Sequence, residues 1–322
     1  MNKFTYIDVA DVGEALGIVS ATARPLAGGT DMLPLMKDGL AAPATLINLK
    51  GADELNFIRE EADGLHLGAL TTLDALDRSE VVRARYTALA EAAAQAASPQ
   101  LRNMATLGGN LLQQVRCWYY RADFHCWMKG GDECQARDGE NQHHAIWNQS
   151  PCVAVHPSDP PAALIAFGAQ LRIAGPQGER RLALADFLQP PVAERRALHT
   201  LGPDELLLEI IVPATTARSV YLKAMDRAVW AYALGSVAAL ARVEGGRLND
   251  VRIVLGAVAN IPLRSTAAEA ILEGQRFDAE LARRAGQAAV EGAAPLARNG
   301  YKIPLIRNLV TQAVRDLAAT TS

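Results

Sequence analysis

Residues Arg102-Asn-Met-Ala-Thr-Leu-Gly-Gly-Asn110 place a pair of glycines between a hydroxyl residue and a small polar side chain. A stretch of the same make-up lies nearer the N-terminus, at Ala27-Gly-Gly-Thr-Asp31. Glycine lets backbone N–H groups approach a phosphate closely because it has no Cβ. Either stretch alone is usually just a turn, but two such loops could hold a pyrophosphate from both sides. Neither fits G-x-G-x-x-G or the P-loop pattern, which argues against a Rossmann domain or a nucleotide hydrolase.

The composition is that of a soluble globular protein with room for two or three domains. The chain has 322 residues, of which 50% are hydrophobic and 21% charged, with a net charge of -3. No block of like charge indicates a nucleic-acid partner. No run of eighteen apolar residues predicts a membrane span, and the N-terminus does not resemble a secretory signal. We therefore expect a cytoplasmic protein.

The spacing of apolar residues and turns predicts an α+β fold. Before Pro213 we expect a short strand entering the first glycine turn, a second strand over 45–49, a hairpin over 56–69, helices over 86–97 and 161–167, a second hairpin over 170–182 and a strand over 206–212. Beyond Pro213 we expect three antiparallel strands at 220–225, 233–244 and 248–257, followed by helices at 266–272, 279–292 and 304–318.

All four cysteines lie within the 36 residues from Cys117 to Cys152, with spacings of nine, eight and eighteen residues. A chain of this size needs no disulfide staples. The absence of any C-x-x-C pair disfavours structural zinc without excluding it. An iron–sulfur cluster needs four thiolates and accepts irregular spacing, and the neighbouring Trp118 and Trp127 could shield it from water.

Three stretches together resemble a known family: 25–33 and 102–110, which contain the paired glycines, and Gly256-Ala-Val-Ala-Asn-Ile-Pro-Leu-Arg264 followed by Ala268-Glu269. They resemble the FAD-binding (medium) subunit of the molybdenum hydroxylases, the family of xanthine dehydrogenase and carbon monoxide dehydrogenase. The resemblance runs through almost the whole chain in the same order.

The resemblance implies a two-part FAD-binding domain of the vanillyl-alcohol-oxidase type, followed by a C-terminal three-stranded antiparallel sheet with helices. The expected boundaries are 1–53 and 54–214 for the two FAD-binding subdomains, with an insert at 115–155, and 215–322 for the C-terminal domain.

The same resemblance implies which residues contact FAD. These are Leu26, Ala27, Gly28, Gly29, Thr30 and Asp31 in the first turn, Thr106, Gly108, Gly109 and Asn110 in the second, Ser158 and Asp159 in a later segment, and Lys223 in the C-terminal domain. For Lys223, a solvated strand lysine is the alternative interpretation.

The cysteine-bearing insert resembles the one in the β subunit of 4-hydroxybenzoyl-CoA reductase and in the flavin subunit of periplasmic aldehyde oxidoreductase. Those relatives bind a [4Fe–4S] cluster there, which implies as ligands Cys117, Cys126, Cys134 and Cys152. The three histidines of the insert, His125, His143 and His144, are interpreted as solvated loop residues. Export of the periplasmic relatives with a signal-bearing partner leaves a periplasmic location as the alternative.

No motif for substrate chemistry is present, so the expected role is electron transfer and no catalytic residue is assigned. The resemblance implies a heterotrimer with a large molybdenum-cofactor subunit, which oxidises an aldehyde or aromatic compound, and a small [2Fe–2S] subunit. Electrons would leave FAD for an external acceptor. Two other classes remain open: a stand-alone FAD-dependent oxidase and a zinc-stabilised scaffold without redox function.

Overall fold

The computed structural model describes residues 1–319, which form three sheets and the helices around them. The strands are β1 Thr5–Asp8, β2 Ala23–Leu26, β3 Thr45–Asn48, β4 Ile58–Glu61, β5 Gly64–Gly68, β6 Gln170–Gly175, β7 Gly178–Ala183, β8 Leu206–Pro213, β9 Arg218–Ala224, β10 Gly235–Glu244, β11 Arg247–Gly256 and β12 Leu263–Arg264. The helices are α1 Val12–Leu16, α2 Met32–Lys37, α3 Leu73–Arg78, α4 Glu80–Arg85, α5 Thr87–Ala94, α6 Pro99–Arg102, α7 Leu107–Leu111, α8 Trp118–Arg121, α9 Pro160–Ala166, α10 Leu184–Phe187, α11 Thr266–Leu272, α12 Ala279–Ala288 and α13 Lys302–Ala319.

The N-terminal sheet is parallel, with the order β1-β3-β2. Its central strand β3 buries Ile47 completely, beside Ala15 and Leu55 of the same small core. The edge strand β1 is largely exposed, with Tyr6 at its centre half in solvent. Strand β2 leads directly into the first glycine turn, as the sequence predicted.

The second sheet is antiparallel, with the order β4-β5-β8-β6-β7. The two predicted hairpins, β4–β5 and β6–β7, are both present, and β8 joins them. Helices α3, α5 and α9 contribute to the main core beside the sheet residues Leu65, Leu171 and Ile210. Apolar burial on this scale is the main source of stability in a domain of this size.

The C-terminal sheet has four antiparallel strands, in the order β12-β11-β10-β9, so the prediction of three was wrong by one strand. The three predicted strands are present, and the missing one is β12, which consists of Leu263 and Arg264. Two residues that directly follow Pro262 are too few to show the alternation by which a strand is recognised. Packing against the edge of β11 supplies the pairing that local sequence does not indicate.

The C-terminal sheet is buried on both faces. Ala238 and Leu240 of β10 join the core of the part before Pro213, whereas Val237 and Ala239 pack with Ile306 and the other apolar residues of α13. Burial on both faces explains why β10 is an uninterrupted apolar run rather than an alternating one. The two parts of the chain therefore share a continuous core.

The insert is mostly irregular and is held from both sides. Within 115–155 the regular structure is α8 and a 3₁₀ turn at Trp127–Lys129. From the part of the chain between the insert and Pro213, Arg196 donates to the carbonyls of Trp127 and Gly131. Its guanidinium lies 4.6 Å over the Trp127 ring. From the C-terminal part, the buried Asn260 donates to the carbonyls of Cys152 and Ala154 at 3.0 and 2.7 Å. In residues 1–319, no helix has the length and apolar character needed to cross a membrane.

Candidate functional site

The two glycine-containing stretches lie against each other. A Cβ built on Gly28 would stand 1.7 Å from the carbonyl oxygen of Met104, so only glycine fits there. Gly29 has φ +73°, a conformation that glycine adopts without strain. Within residues 1–319, the backbone N–H groups of Gly28, Gly29, Thr30 and Asp31 have no hydrogen-bond acceptor. The first turn thus presents consecutive free donors next to the second stretch.

The second stretch forms the first turn of α7 rather than a free turn. The hydroxyl of Thr106 caps the helix by accepting from the N–H of Gly109 at 3.2 Å. A Cβ on Gly108 would lie 2.9 Å from the carbonyl oxygen of Ala69, so this glycine permits close packing on the core. Within the second stretch, Gly108 and Gly109 therefore serve local packing and capping, while Asn110 points its side chain toward Ser158.

Asp31 joins the first turn to the start of the insert. One of its carboxylate oxygens accepts from the N–H of Gln114 at 2.8 Å, and the other lies 2.8 Å from both Arg116 and Arg121. Gln114, Arg116 and Arg121 belong to one segment that lies more than eighty residues after Asp31 in the chain. The carboxylate is therefore an anchor within the protein, and the free groups at this turn are backbone donors.

Ser158 and Asp159 lie where the chain returns from the insert. The hydroxyl of Ser158 donates to the amide oxygen of Asn110, which joins this segment to the second glycine stretch. Asp159 is buried and accepts from the Tyr221 hydroxyl at 2.6 Å and the Lys223 amine at 2.8 Å. Burial raises the pKa of Asp159, and the two donors oppose that shift.

Lys223 is buried behind this segment rather than solvated. Its side chain is 1% exposed, and its amine donates to Asp159 and to the carbonyl of Gln95. The alternative of a solvated strand lysine is thus wrong. Its contacts position Asp159, and the Asp159 side chain lines a cavity in this region.

A cavity of about 240 Å³ opens between the start and end of the insert, the segment that follows it and the C-terminal sheet. Its walls are Arg116, Cys117, Trp118, His143, His144, the segment 154–159, Asp226, Arg227, the segment 231–234, Ser236 and Ala257. Ser158 and Asp159 belong to this wall, and the hydrogen bond from Ser158 to Asn110 joins the wall to the second glycine stretch.

Three buried polar atoms of the cavity residues have no partner within residues 1–319: Arg116 Nε, His144 Nδ1 and His156 Nε2. His156 Nδ1 accepts from the N–H of Ser158 at 3.3 Å, and burial lowers the pKa of this imidazole to about 4. The ring is therefore neutral at pH 7 and carries its proton on Nε2. Unpartnered buried donors of this kind are normally satisfied by a ligand or water, so the cavity suits a polar, partly aromatic group.

The four cysteines come together beside this cavity. Cys126 and Cys152 are buried, Cys117 and Cys134 are half-buried, and all four are free thiols in one apolar cluster with Trp127. Cys126 and Cys134 face each other across an isolated bridge. A hydrogen bond between Cys134 and Cys152 lowers the pKa of Cys134 and raises that of Cys152. Cys117 belongs both to the cluster and to the cavity wall.

The spacing of the thiols bears on which metal they could hold. Four sulfurs around one zinc ion at about 2.3 Å would lie about 3.8 Å apart. Within residues 1–319, no three of the cysteine sulfurs lie within 4.8 Å of one another. Among the described residues, the thiols are therefore not gathered at the spacing of a zinc site.

The histidines of the insert behave differently from one another. His125 is exposed and pairs with Asp132 at 2.6 Å, and His143 is also exposed, as predicted. His144 is 3% exposed, with Nε2 only 3.2 Å from the sulfur of Cys117. The prediction that His144 is a solvated loop residue was therefore wrong. Its burial depends on the C-terminal part of the chain, which the local sequence does not reveal.

Several residues of this region were not predicted from sequence: Arg116, Arg121, His144, His156, Tyr221 and Tyr232. Arg116 lies 5.4 Å from the Tyr232 ring centroid across the cavity, a contact between residues over one hundred positions apart. No periodicity or motif marks such contacts. Only His156, which directly precedes the Ser158-Asp159 segment, lies near a predicted site residue.

A third group of titratable residues lies away from this site, on the β4–β5 hairpin. His66 Nε2 is 2.9 Å from Asp63 and 3.8 Å from Glu61, and His66 Nδ1 is 2.6 Å from the buried Glu209. Glu209 also binds Arg172 at 2.7 Å. Both ring nitrogens of His66 thus meet carboxylates, which indicates a structural ion-pair network.

Two family models together cover nearly the whole chain. Residues 2–215 match the FAD binding domain in molybdopterin dehydrogenase, and residues 220–317 match the CO dehydrogenase flavoprotein C-terminal domain. Among individual proteins, the chain is 34% identical to the aldehyde oxidoreductase FAD-binding subunit PaoB of Escherichia coli K12, over 99% of each chain. It is 29% identical to the carbon monoxide dehydrogenase medium chain of Afipia carboxidovorans, over 84% of this chain and 78% of that one.

Solved structures show the same similarity in three dimensions. A carbon monoxide dehydrogenase from Hydrogenophaga pseudoflava superposes with a TM-score of 0.77 at 31% identity, covering 98% of this chain and 96% of that one. The reconstituted enzyme from Oligotropha carboxidovorans gives a TM-score of 0.79 at 26% identity, over 99% and 98%.

Proposed function

The chain belongs to the family of FAD-binding subunits of molybdopterin dehydrogenases, and on that premise we propose that it carries FAD and a [4Fe–4S] cluster within a molybdenum hydroxylase complex. The observation that carries the proposal is the clustering of all four cysteines against the cavity of an FAD-binding chain. In this role the chain passes electrons from a small [2Fe–2S] subunit to an external acceptor.

The residues present fit FAD. The free N–H groups of Gly28 to Asp31 would hold the pyrophosphate, because consecutive backbone donors form an anion-binding concavity. Arg116 Nε and His156 Nε2 are unpartnered donors available to the polar edge of an aromatic ring in the cavity. Bound FAD would supply a carrier that exchanges electrons singly and in pairs. The protein orients that group and keeps Asp159 fixed through Lys223.

The residues present also fit an iron–sulfur cluster. Cys117, Cys126, Cys134 and Cys152 would be its ligands, and an apolar shell that includes Trp127, Met128 and Leu198 excludes water around them. A dry shell and hydrogen bonds to the sulfurs are the features by which proteins set the potential of such clusters. The spacing of the thiols favours this group over zinc, so we disfavour the zinc-stabilised scaffold.

Partner subunits follow from the family. Relatives of this chain are medium chains of carbon monoxide dehydrogenases, which implies larger and smaller partners. Relatives named for aldehyde oxidoreductase and nicotinate dehydrogenase support an aldehyde or aromatic substrate for the complex. Turnover of an alcohol by the isolated chain would instead favour a stand-alone oxidase.

Purification of the full chain with its partner subunits tests the proposal. The preparation should show flavin absorbance and about four irons for this chain's cluster beyond those of the small subunit. Cys126→Ser should lose iron and keep flavin, because Cys126 lies in the insert and outside the glycine stretches. Gln149→Ala, a control at an exposed position of the same insert, should keep both. Zinc in place of iron, or a chain without flavin, would refute the proposal.

A further inference from the structure

One histidine of the cavity wall contacts a cysteine. His144 lines the cavity beside Cys117, and its Nε2 lies 3.2 Å from the Cys117 sulfur. The residue is 3% exposed. Cys117 is the only one of the four cysteines among the cavity residues. His144 therefore contacts the one thiol that faces the cavity.

The backbone around His144 is held by hydrogen bonds, and its imidazole ring packs against an aromatic side chain. The buried Asn299 donates to the carbonyls of His144 and Ala145 at 3.1 and 3.0 Å, which fixes the backbone. The buried amine of Lys302 donates to the carbonyl of the preceding residue, His143, at 3.1 Å. The Trp118 ring lies edge-on at 5.7 Å from the imidazole. These contacts come from the C-terminal part and the insert alike, so the Nε2–sulfur contact is built by the tertiary fold.

The chemistry of a metal-bound cysteine decides the direction of this hydrogen bond. A ligating cysteine is a thiolate, which has no proton and can only accept. Nε2 must then carry the proton and donate it toward sulfur. An N–H donor draws electron density from the sulfur and stabilises the reduced cluster, which raises its reduction potential.

We propose that His144 is a positioning residue that donates an N–H···S hydrogen bond to Cys117, the ligand on the cavity side. This hydrogen bond raises the reduction potential of the cluster. This inference rests on the proposed function, because it presupposes a cluster bound by the four cysteines. It assigns a role to a residue that is not a metal ligand. His125, the exposed histidine that pairs with Asp132, has no hydrogen bond to any sulfur among the described residues.

The test is a potentiometric titration of the intact complex, followed by electron paramagnetic resonance of the reduced [4Fe–4S] signal, with iron counted in each sample. His144→Phe keeps a planar ring and removes the donor, so its midpoint potential should fall while its iron content stays at the wild-type value. His144→Gln keeps an N–H group and should lie between the two. His125→Phe, at an exposed histidine of the insert that does not line the cavity, should leave the potential unchanged. An unchanged potential in His144→Phe at full iron content would overturn the inference.

A second measurement covers the case in which the Phe variant loses iron. Wild-type complex labelled with ¹⁵N-histidine should show nitrogen hyperfine coupling to the reduced cluster, and ¹⁵N-labelled His125→Phe should show the same coupling. An iron-loaded wild-type cluster without that coupling would contradict the hydrogen bond. Wild-type protein without iron would instead refute the proposed function, so the two failures are distinguishable.

Discussion

The carbonyl oxygen of Met104 occupies the space that a side chain at Gly28 would need, 1.7 Å from the position of its Cβ. This contact brings the two glycine stretches together, although they are more than seventy residues apart in the chain. The free N–H groups of the first turn and the helix start of the second therefore face one binding region. Each of the predictions below depends on a contact of this kind between distant segments.

Gly28→Ala should separate the two stretches and reduce the flavin content of the purified chain. The added methyl group cannot coexist with the Met104 carbonyl, so the backbone must shift, at a cost of about 1–3 kcal/mol or more in the free energy of unfolding. Flavin absorbance per chain and urea denaturation measure both effects. Gly17→Ala is the control, because a Cβ there meets only ordinary contacts at 3.5 Å. Full flavin in Gly28→Ala would show that the contact does not shape the site.

Lys223→Met should strongly destabilise the chain. The substitution leaves Asp159 buried without its cation, and an uncompensated buried charge costs about 3–5 kcal/mol. The double variant Lys223→Met with Asp159→Asn should recover part of that loss. Arg242→Met, which breaks an exposed pair with Asp250, should cost much less, because water screens that pair. Urea denaturation gives all three values, and an equal effect of the two single changes would contradict the role of Lys223.

His66 should make stability depend on pH above the ordinary histidine pKa of 6.5. Burial opposes its charge, but hydrogen bonds with Asp63 and Glu209 outweigh burial and raise its pKa above the ordinary 6.5. Its contribution is therefore complete below about pH 6.5 and is lost as pH rises through the folded-state pKa. The difference in unfolding free energy between wild type and His66→Gln should shrink over that range. The exposed His125→Gln serves as control, and a difference that stays constant with pH would contradict the network.

Asn260→Ala should loosen the insert and lower its iron content. The Asn260 amide donates to the carbonyls of Cys152 and Ala154, and both are buried with it. Removing a buried partner leaves carbonyls unsatisfied, at about 1–3 kcal/mol. Iron per chain should fall while flavin is retained. The exposed Asn308→Ala is the matched control, and undiminished iron in Asn260→Ala would show that this docking does not support the cysteines.

The sequence alone predicted the architecture well where local pattern is strong. The two hairpins, the long C-terminal strands and the helix α13 show clear apolar periodicity or length. The paired glycines and the grouping of four cysteines marked both parts of the site, because close backbone approach and thiolate ligation each demand particular residue types. The family resemblance then ordered these pieces along the chain, and the family models bear it out.

What the sequence missed depends on tertiary contact. Strand β12 exists because Leu263 and Arg264 pair with β11, and two residues carry no period of their own. His144 is polar in a polar loop, and only Asn299 and Lys302 from the far end of the chain show that it is buried. Lys223 lies in a strand like any other lysine until its pairing with Asp159 is seen.

The central claim is that Cys117, Cys126, Cys134 and Cys152 hold a four-iron cluster in an FAD-binding subunit. Mössbauer spectroscopy of the ⁵⁷Fe-enriched complex tests it most directly, because it identifies the type of cluster as well as the metal. Beyond the two [2Fe–2S] centres of the small subunit, the spectrum should contain a [4Fe–4S] component that disappears in Cys126→Ser. A spectrum with [2Fe–2S] signals alone, unchanged by that substitution, would contradict the claim.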